Sequence, residues 1–210
     1  MNASIIQKFF VDGPAGRLET ILAEPKSKPC GIAIIAHPHP LYGGTMDNKV
    51  VYTLFNTLLE LDLITVKFNF RGVGNSAGIY DNGIGEVDDV VTITRTICNQ
   101  FNNQLTHLPL LLAGFSFGGA IQAHAAQHLN PQHLILVAPS VANLNAPLVH
   151  NQARHILVIH GDQDDVVPLQ TVLDWATPQS LAVEIIPGAE HFFHGQLTAL
   201  KQTILRSHQL

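Results

Sequence analysis

LPLLLAGFSFGGAIQAHAAQHL, residues 108–129, decides the fold. Residues 108–116 form an apolar run of strand length, and residues 117–129 are Ala-rich, free of Pro and suited to a helix. Between them stands Gly114-Phe115-Ser116-Phe117-Gly118-Gly119. A serine at a strand-to-helix junction of this kind sits on a sharp turn that lifts its Oγ clear of the sheet, as a nucleophile requires. Glycines two residues to either side let the strand and helix backbones approach without a Cβ clash. The small residues Ala120, Ala123, Ala125 and Ala126 suit the same close packing. The helix N-terminus adds partial positive charge near the reacting centre. A GxSxG string alone is common in Gly-rich sequence; its placement between strand and helix makes Ser116 the candidate nucleophile.

The rest of the chain continues the alternation. IIQKFFV and RLETILAE read as two early strands around a turn at residues 12–16. GIAIIA (31–36) is a strand covered on both faces, followed by the loop HPHPLYGG. Asp47 opens a helix whose Val50, Val51, Leu54, Phe55, Leu58 and Leu59 share one face. LITVKFNF (63–70) is a strand, RGVGNSAG a loop, and Val87 to Phe101 mark a second long helix. HLILVA (133–138) and HILVIH (155–160) are further strands. A short helix over Pro168–Ala176, a last strand LAVEII (181–186) and a helix over 192–207 complete the pattern. The fold class expected is α/β: a mainly parallel, twisted sheet of about eight strands with helices on both faces, in one domain spanning 1–210. Ligands of such sheets bind beyond the carboxyl ends of the strands. The loops to inspect are therefore 37–44, 71–78, 114–118, 139–147, 161–167 and 187–194. The connection after residue 138 has about 16 residues, the range of an ordinary loop and too short for a lid domain. The cleft is expected to be open, rimmed by Phe117, Leu41 and the 139–147 loop.

A nucleophilic serine needs a base, and the base needs an acid. HGDQDDVVP follows the 155–160 strand and offers Asp162, Asp164 and Asp165; PGAEHFFH follows the 181–186 strand and offers His191 and His194. The order serine, acid, histidine is the one that this elbow predicts. His191 lies nearer its strand end than His194, which favours it. The three aspartates stay open on these grounds, since Asp162 can cap the turn and Asp165 can start a helix. One donor to a developing oxyanion should be the N–H of Phe117, and the other should come from His37-Pro38-His39-Pro40-Leu41. The prolines have no N–H, so His39 leads and Leu41 is second.

With these pieces placed, the chain resembles the α/β-hydrolases of the small bacterial serine type, close to the dienelactone-hydrolase-like and cinnamoyl-esterase-like proteins. HPHPLYGGTMDNKVV, FNFRGVGNSAG, GFSFGG, HGDQDDVVP and GAEHFF are similar to family segments, in family order and over nearly the whole chain. The family pattern HGxxDxxVP puts the catalytic acid on Asp164, and the GxxHFF-like segment puts the histidine on His191. The first HP of HPHP replaces the family's HG, which points to His39 for the oxyanion N–H. Dienelactone hydrolases proper carry Cys at the elbow where this chain carries Ser116, so that specificity does not follow. The resemblance implies cleavage of an ester or related acyl bond through an acyl-enzyme, without a cofactor. Acyl transfer or peptide cleavage by the same triad, or a non-catalytic binding role, are the alternatives.

Composition narrows the partners. Apolar residues make up 46% of the 210 and charged residues 13%, about half the usual share. Such a surface is expected to be partly covered in an oligomer, a homodimer being the simplest, while the small-molecule ester substrate is what the resemblance implies. The net charge of −5 and the lack of a Lys/Arg run argue against nucleic acid. No apolar run approaches the ~18 residues of a membrane span. Two cysteines make no disulfide framework, which points to the cytoplasm.

The remaining motifs read more plainly. The glycines at 72, 74 and 78 lack the GxGxxG spacing, so Arg71 and its loop are expected to be scaffold. The pairs His37/His39, His124/His128 and His191/His194 lack the third ligand of a hydrolytic zinc site, so no metal is expected. Asp88 and Asp89 are expected to cap or solvate a helix start. Among the aromatics, Phe115 and Phe117 flank Ser116 and are the favoured pocket residues; Trp175 is a candidate, and Phe192 and Phe193 fit an ordinary core equally well.

Overall fold

A computed structural model describes residues 5–102 and 108–207. Strands β1 (Ile5–Gly13) and β2 (Gly16–Glu24) form an antiparallel hairpin. Strands β3 (Gly31–Ala36), β4 (Leu63–Phe68), β5 (Leu110–Phe115), β6 (His133–Val137), β7 (His155–Gly161) and β8 (Val183–Ile186) run parallel. The strand order is β1-β2-β4-β3-β5-β6-β7-β8, with β2 antiparallel to β4. Every residue of β3, β4 and β5 is buried, as expected of strands covered on both faces, and in β4 this includes Thr65 and Lys67.

The two covers come from different helices. Ile32 and Ile34 of β3 face the layer of α2 (Ile84–Asn102) and α3 (Phe117–Leu129), packing with Val90, Ile93 and Ile121. Ala33 and Ile35 face the other way, toward Val51, Leu54 and Leu58 of α1 (Lys49–Glu60) and Leu200 and Ile204 of α5 (Leu197–Ser207). The period-2 alternation of a strand sends neighbours to opposite cores. Helix α4 (Leu169–Ala176) lies between β7 and β8 in sequence.

Boundaries differ from the sequence reading where side chains compete for the backbone. Helix α1 opens at Lys49, because Asn48 Oδ1 accepts the Val50 N–H at 2.8 Å and caps the turn. Asp47 instead pairs with Lys67 at 2.9 Å. Strand β4 stops at Phe68, and β8 is shorter than 181–186. The closing helix begins only at Leu197: Phe193 at φ 55° and Gly195 at φ 72° interrupt the residues before it.

Two buried ties fix the loops around the carboxyl ends. The Arg71 guanidinium binds Asp89, with Nη2 to Oδ1 at 2.8 Å, and Asp89 is fully buried. Asp89 is therefore an ion-pair partner inside the fold, and not the solvated cap expected. Glu86, also fully buried, accepts the N–H groups of Asp81 and Gly83. The 138–154 connection contains no helix or strand. Trp175 pins it by donating from Nε1 to the Ala146 carbonyl and is not among the residues that line the Ser116 cleft. Among the described residues no helix is long and apolar enough to cross a membrane.

Candidate active site

Ser116 joins β5 to α3 with φ 55° and ψ −117°, a conformation that costs a non-Gly residue about 1–3 kcal/mol. The surrounding structure imposes it. The Ser116 N–H donates to the Val137 carbonyl at 2.9 Å, and the Ser116 carbonyl accepts from Gly119 and Ser140, each at 3.0 Å. A Cβ on Gly114 would stand 2.3 Å from the Gly118 carbonyl oxygen, and one on Gly118 would stand 2.4 Å from that of Ala36. The two glycines are thus needed for the close approach of β5, α3 and β3, not for their own dihedral angles.

His191, in the loop after β8, is 2% exposed and reaches two partners. The Ser116 hydroxyl donates to its Nε2 at 2.9 Å, and its Nδ1–H donates to Asp164 Oδ2 at 2.7 Å. The rings of Phe115 and Phe192 flank the imidazole, at 5.0 and 5.1 Å between centroids. Asp164 Oδ1 accepts the N–H groups of Val166 and Val167 at 2.9 and 2.7 Å. Burial pushes the Asp164 carboxyl up, but the hydrogen bonds from His191 and Val167 outweigh it and hold the group below its ordinary value. Asp162 accepts the Gly188 N–H instead, Asp165 is exposed, and His194 pairs with Glu190 on the surface.

A third ring lies behind Asp164. His160 is fully buried; its Nε2–H donates to the Val167 carbonyl at 2.8 Å and stands 3.4 Å from Asp164 Oδ2. Its Nδ1 is buried without a partner among the described residues. Adding a proton there would place charge on a dry atom, and burial accordingly holds His160 below the usual histidine value. The ring is a neutral donor beside the carboxylate.

The loop after β3 is built on His37. Its Nδ1–H donates to the Pro38 carbonyl at 2.6 Å, and its Nε2 accepts the Phe70 N–H at 3.1 Å. Burial pushes His37 down to about 4. His39 uses its Nδ1 to accept the Leu41 N–H and its Nε2–H to reach the Tyr80 hydroxyl, each at 3.2 Å. Leu41, the second choice for an oxyanion donor, is therefore already engaged. The N–H groups of His39 and of Phe117, which opens α3, have no acceptor among the described residues.

These residues border a cleft of about 410 Å³, lined by His39, Tyr42, Asn48, Val166 and Phe192 together with Ser116 and His191. The expected pocket residues are displaced. Phe115 is fully buried and Phe117 is 1% exposed, because the close elbow turns both rings into the core beneath Ser116. Leu41 is 67% exposed and is not among the lining residues. Phe192, read equally well as core, is 40% exposed and lines the cleft, while Phe193 is fully buried. Among the described residues no group of three or more His, Cys, Asp or Glu side chains is arranged to hold a metal ion.

A family model described as serine aminopeptidase, S33, matches residues 29–155. A structure of an α/β serine hydrolase homologue from Coxiella burnetii is 42% identical; the match covers 96% of this chain and 97% of that one, with a TM-score of 0.85. This chain belongs to the α/β serine hydrolases. An α/β serine hydrolase without lid from Xanthomonas campestris is 34% identical, covering 99% of this hydrolase and 95% of that chain, at a TM-score of 0.86. An uncharacterized protein of Rickettsia prowazekii is 34% identical over 203 residues, 89% of this hydrolase and 82% of its relative.

Sequence reasoning brought Ser116, Asp164 and His191 to the place where the hydrolase holds them in one hydrogen-bonded line. It passed over His160, Tyr80 and Asn48. His160 had a signal, the strand-end position in HGDQDD next to an acid. Tyr80 and Asn48 act through contacts 41 residues away or across a cleft, which no local pattern carries.

Proposed function

We propose that this hydrolase cleaves carboxylic esters of small, compact substrates through an acyl-enzyme on Ser116. The observation that carries the reading is the continuous line from Ser116 Oγ through His191 to Asp164, ending at a cleft. Ser116 Oγ attacks the ester carbonyl carbon while its proton passes to His191 Nε2. The depressed Asp164 stays ionised and steadies the imidazolium. The N–H groups of Phe117 and His39 receive the carbonyl oxygen as it gains charge. His191 then protonates the leaving alkoxide; a water attacks the acyl carbon and gives a proton to His191, which passes it to Ser116 Oγ as the acyl–Oγ bond breaks and the acid leaves.

The cleft favours an ester over the N-terminal residue of a peptide. An aminopeptidase must hold the substrate's ammonium group, and burying that charge without a partner is costly. Among the described residues, none of the side chains that line the cleft is a carboxylate. The short 138–154 connection supports an open site with little cover for long acyl chains. The unpaired Cys30 and Cys98 agree with a cytoplasmic setting. Rates on 4-nitrophenyl esters from acetate to palmitate, beside aminoacyl 4-nitroanilides, test the reading. Turnover of the short esters and none of the anilides is expected. Anilide cleavage, or a rate that climbs to the longest chain, would overturn it.

A further inference from the structure

Most polar groups around Ser116 are already committed. His191 and His39 each engage both ring nitrogens. The N–H groups of Gly43 and Gly44 bond back to the Pro40 and His39 carbonyls, and those of Val166 and Phe192 bond to the carboxylates of Asp164 and Glu190. Tyr42 is 87% exposed, so nothing holds its hydroxyl in one place.

Asn48 is different. Its Oδ1 accepts the Val50 N–H, which fixes the amide orientation and leaves Nδ2 as the outward group. Nδ2 has no acceptor among the described residues, and the half-buried side chain lines the same cleft as Ser116. Its backbone is anchored as well: the Asn48 carbonyl accepts the Tyr52 N–H at 2.8 Å, and Val50 and Val51 beside it are fully buried. A donor held so firmly loses little freedom when it binds.

We propose that the Asn48 Nδ2 is a specificity-determining donor that binds an acceptor oxygen of the substrate outside the scissile ester group. This rests on the ester-hydrolase reading above. A substrate lying in the cleft strips water from Nδ2. A hydrocarbon there leaves the donor unpaired and carries its desolvation cost, whereas a carbonyl, hydroxyl or ether oxygen replaces the lost water. The substrate class is therefore an oxygenated short ester, such as an alkoxy-, hydroxy- or oxo-acyl ester or a partly esterified polyol, rather than a plain alkyl ester.

Asn48→Asp separates recognition from folding. Aspartate caps a helix as well as asparagine does, so the Val50 N–H keeps its acceptor, while the donor becomes an acceptor. The measurement is kcat/KM for 4-nitrophenyl pentanoate against its isosteres with oxygen at chain position 3 or 4, and for n-butyl against 2-methoxyethyl acetate. Intrinsic reactivity differs within a pair but is common to both proteins, so the change in the ratio isolates Asn48. In at least one pair, the wild-type preference for the oxygenated partner should fall about tenfold in Asn48→Asp. Asn48→Ser, which also caps but lacks the amide, should show the same loss and stands in if the Asp protein does not fold. Ratios that agree within about twofold in every pair, with both proteins turning over, overturn the proposal alone. A wild-type protein that hydrolyses no ester overturns the functional reading and this one with it.

Discussion

Around Ser116 every neighbour has a separate task, and single substitutions tell them apart. Asp164 holds the His191 Nδ1–H, whereas Asp162 only ties the Gly188 N–H at the surface. Asp164→Asn should therefore lower kcat by up to roughly ten-thousandfold through the wrong imidazole tautomer, and Asp162→Asn by less than about tenfold. Kinetics on 4-nitrophenyl acetate that rank the two in the opposite order would assign the acid to Asp162. His160 acts one step further out. Its Nε2–H ties the Val167 carbonyl, and the Val167 N–H in turn donates to Asp164 Oδ1. His160→Phe removes that tie and should lower kcat about tenfold by loosening the carboxylate that orients His191, and His160→Gln, which keeps a donor, should restore most of it. An unchanged kcat in a folded Phe variant reduces His160 to packing.

Among the elements, the β5–α3 junction decides the geometry, because three backbones meet there. A Cβ on Gly118 would lie 2.4 Å from the Ala36 oxygen and 2.5 Å from that of His37, at the end of β3 where the His39 loop begins. Gly118→Ala should thus cost about 2 kcal/mol or more and pull the His39 loop away from Ser116. Denaturant unfolding and kcat measured together check it, and a variant as stable and active as the wild type contradicts it. The same junction shows what the sequence makes legible. The apolar runs of β3, β5 and β7 and the glycines beside Ser116 are local patterns, so the parallel sheet and its elbow could be read directly. The irregular turn before residue 197 could not, since Phe192 and Phe193 look equally apolar and only the turn at Phe193 sends one to the cleft and the other to the core. Phe115 and Phe117 misled for a related reason: adjacency to Ser116 in sequence says nothing of which way a strained turn sends the rings. Asp89 was misread because its partner Arg71 lies 18 residues away.

Across the whole molecule, histidines buried in neutral form couple folding to pH. An unfolded His37 takes up its proton near 6.5, but the folded one does so only near 4. Its contribution is complete above pH 6.5 and is lost as the pH falls toward 4, amounting to about 3 kcal/mol. His39, His133 and His160 are lowered as well and act in the same sense, and Asp164 adds its own loss in the carboxylate range. Unfolding free energy should drop steadily between pH 7 and 4, and His37→Asn should flatten that slope; an unchanged slope in the variant contradicts the account. The sheet, the loops and these buried rings all serve one claim, that Ser116 is the nucleophile of an acyl-transfer centre. Labelling with a fluorophosphonate, read by peptide mass spectrometry, tests that claim most directly. A single adduct on Ser116, absent from Ser116→Ala together with at least about a thousandfold of the esterase rate, is the result predicted. A wild-type protein that takes no label at Ser116, or a folded Ser116→Ala protein that keeps its turnover, would contradict it.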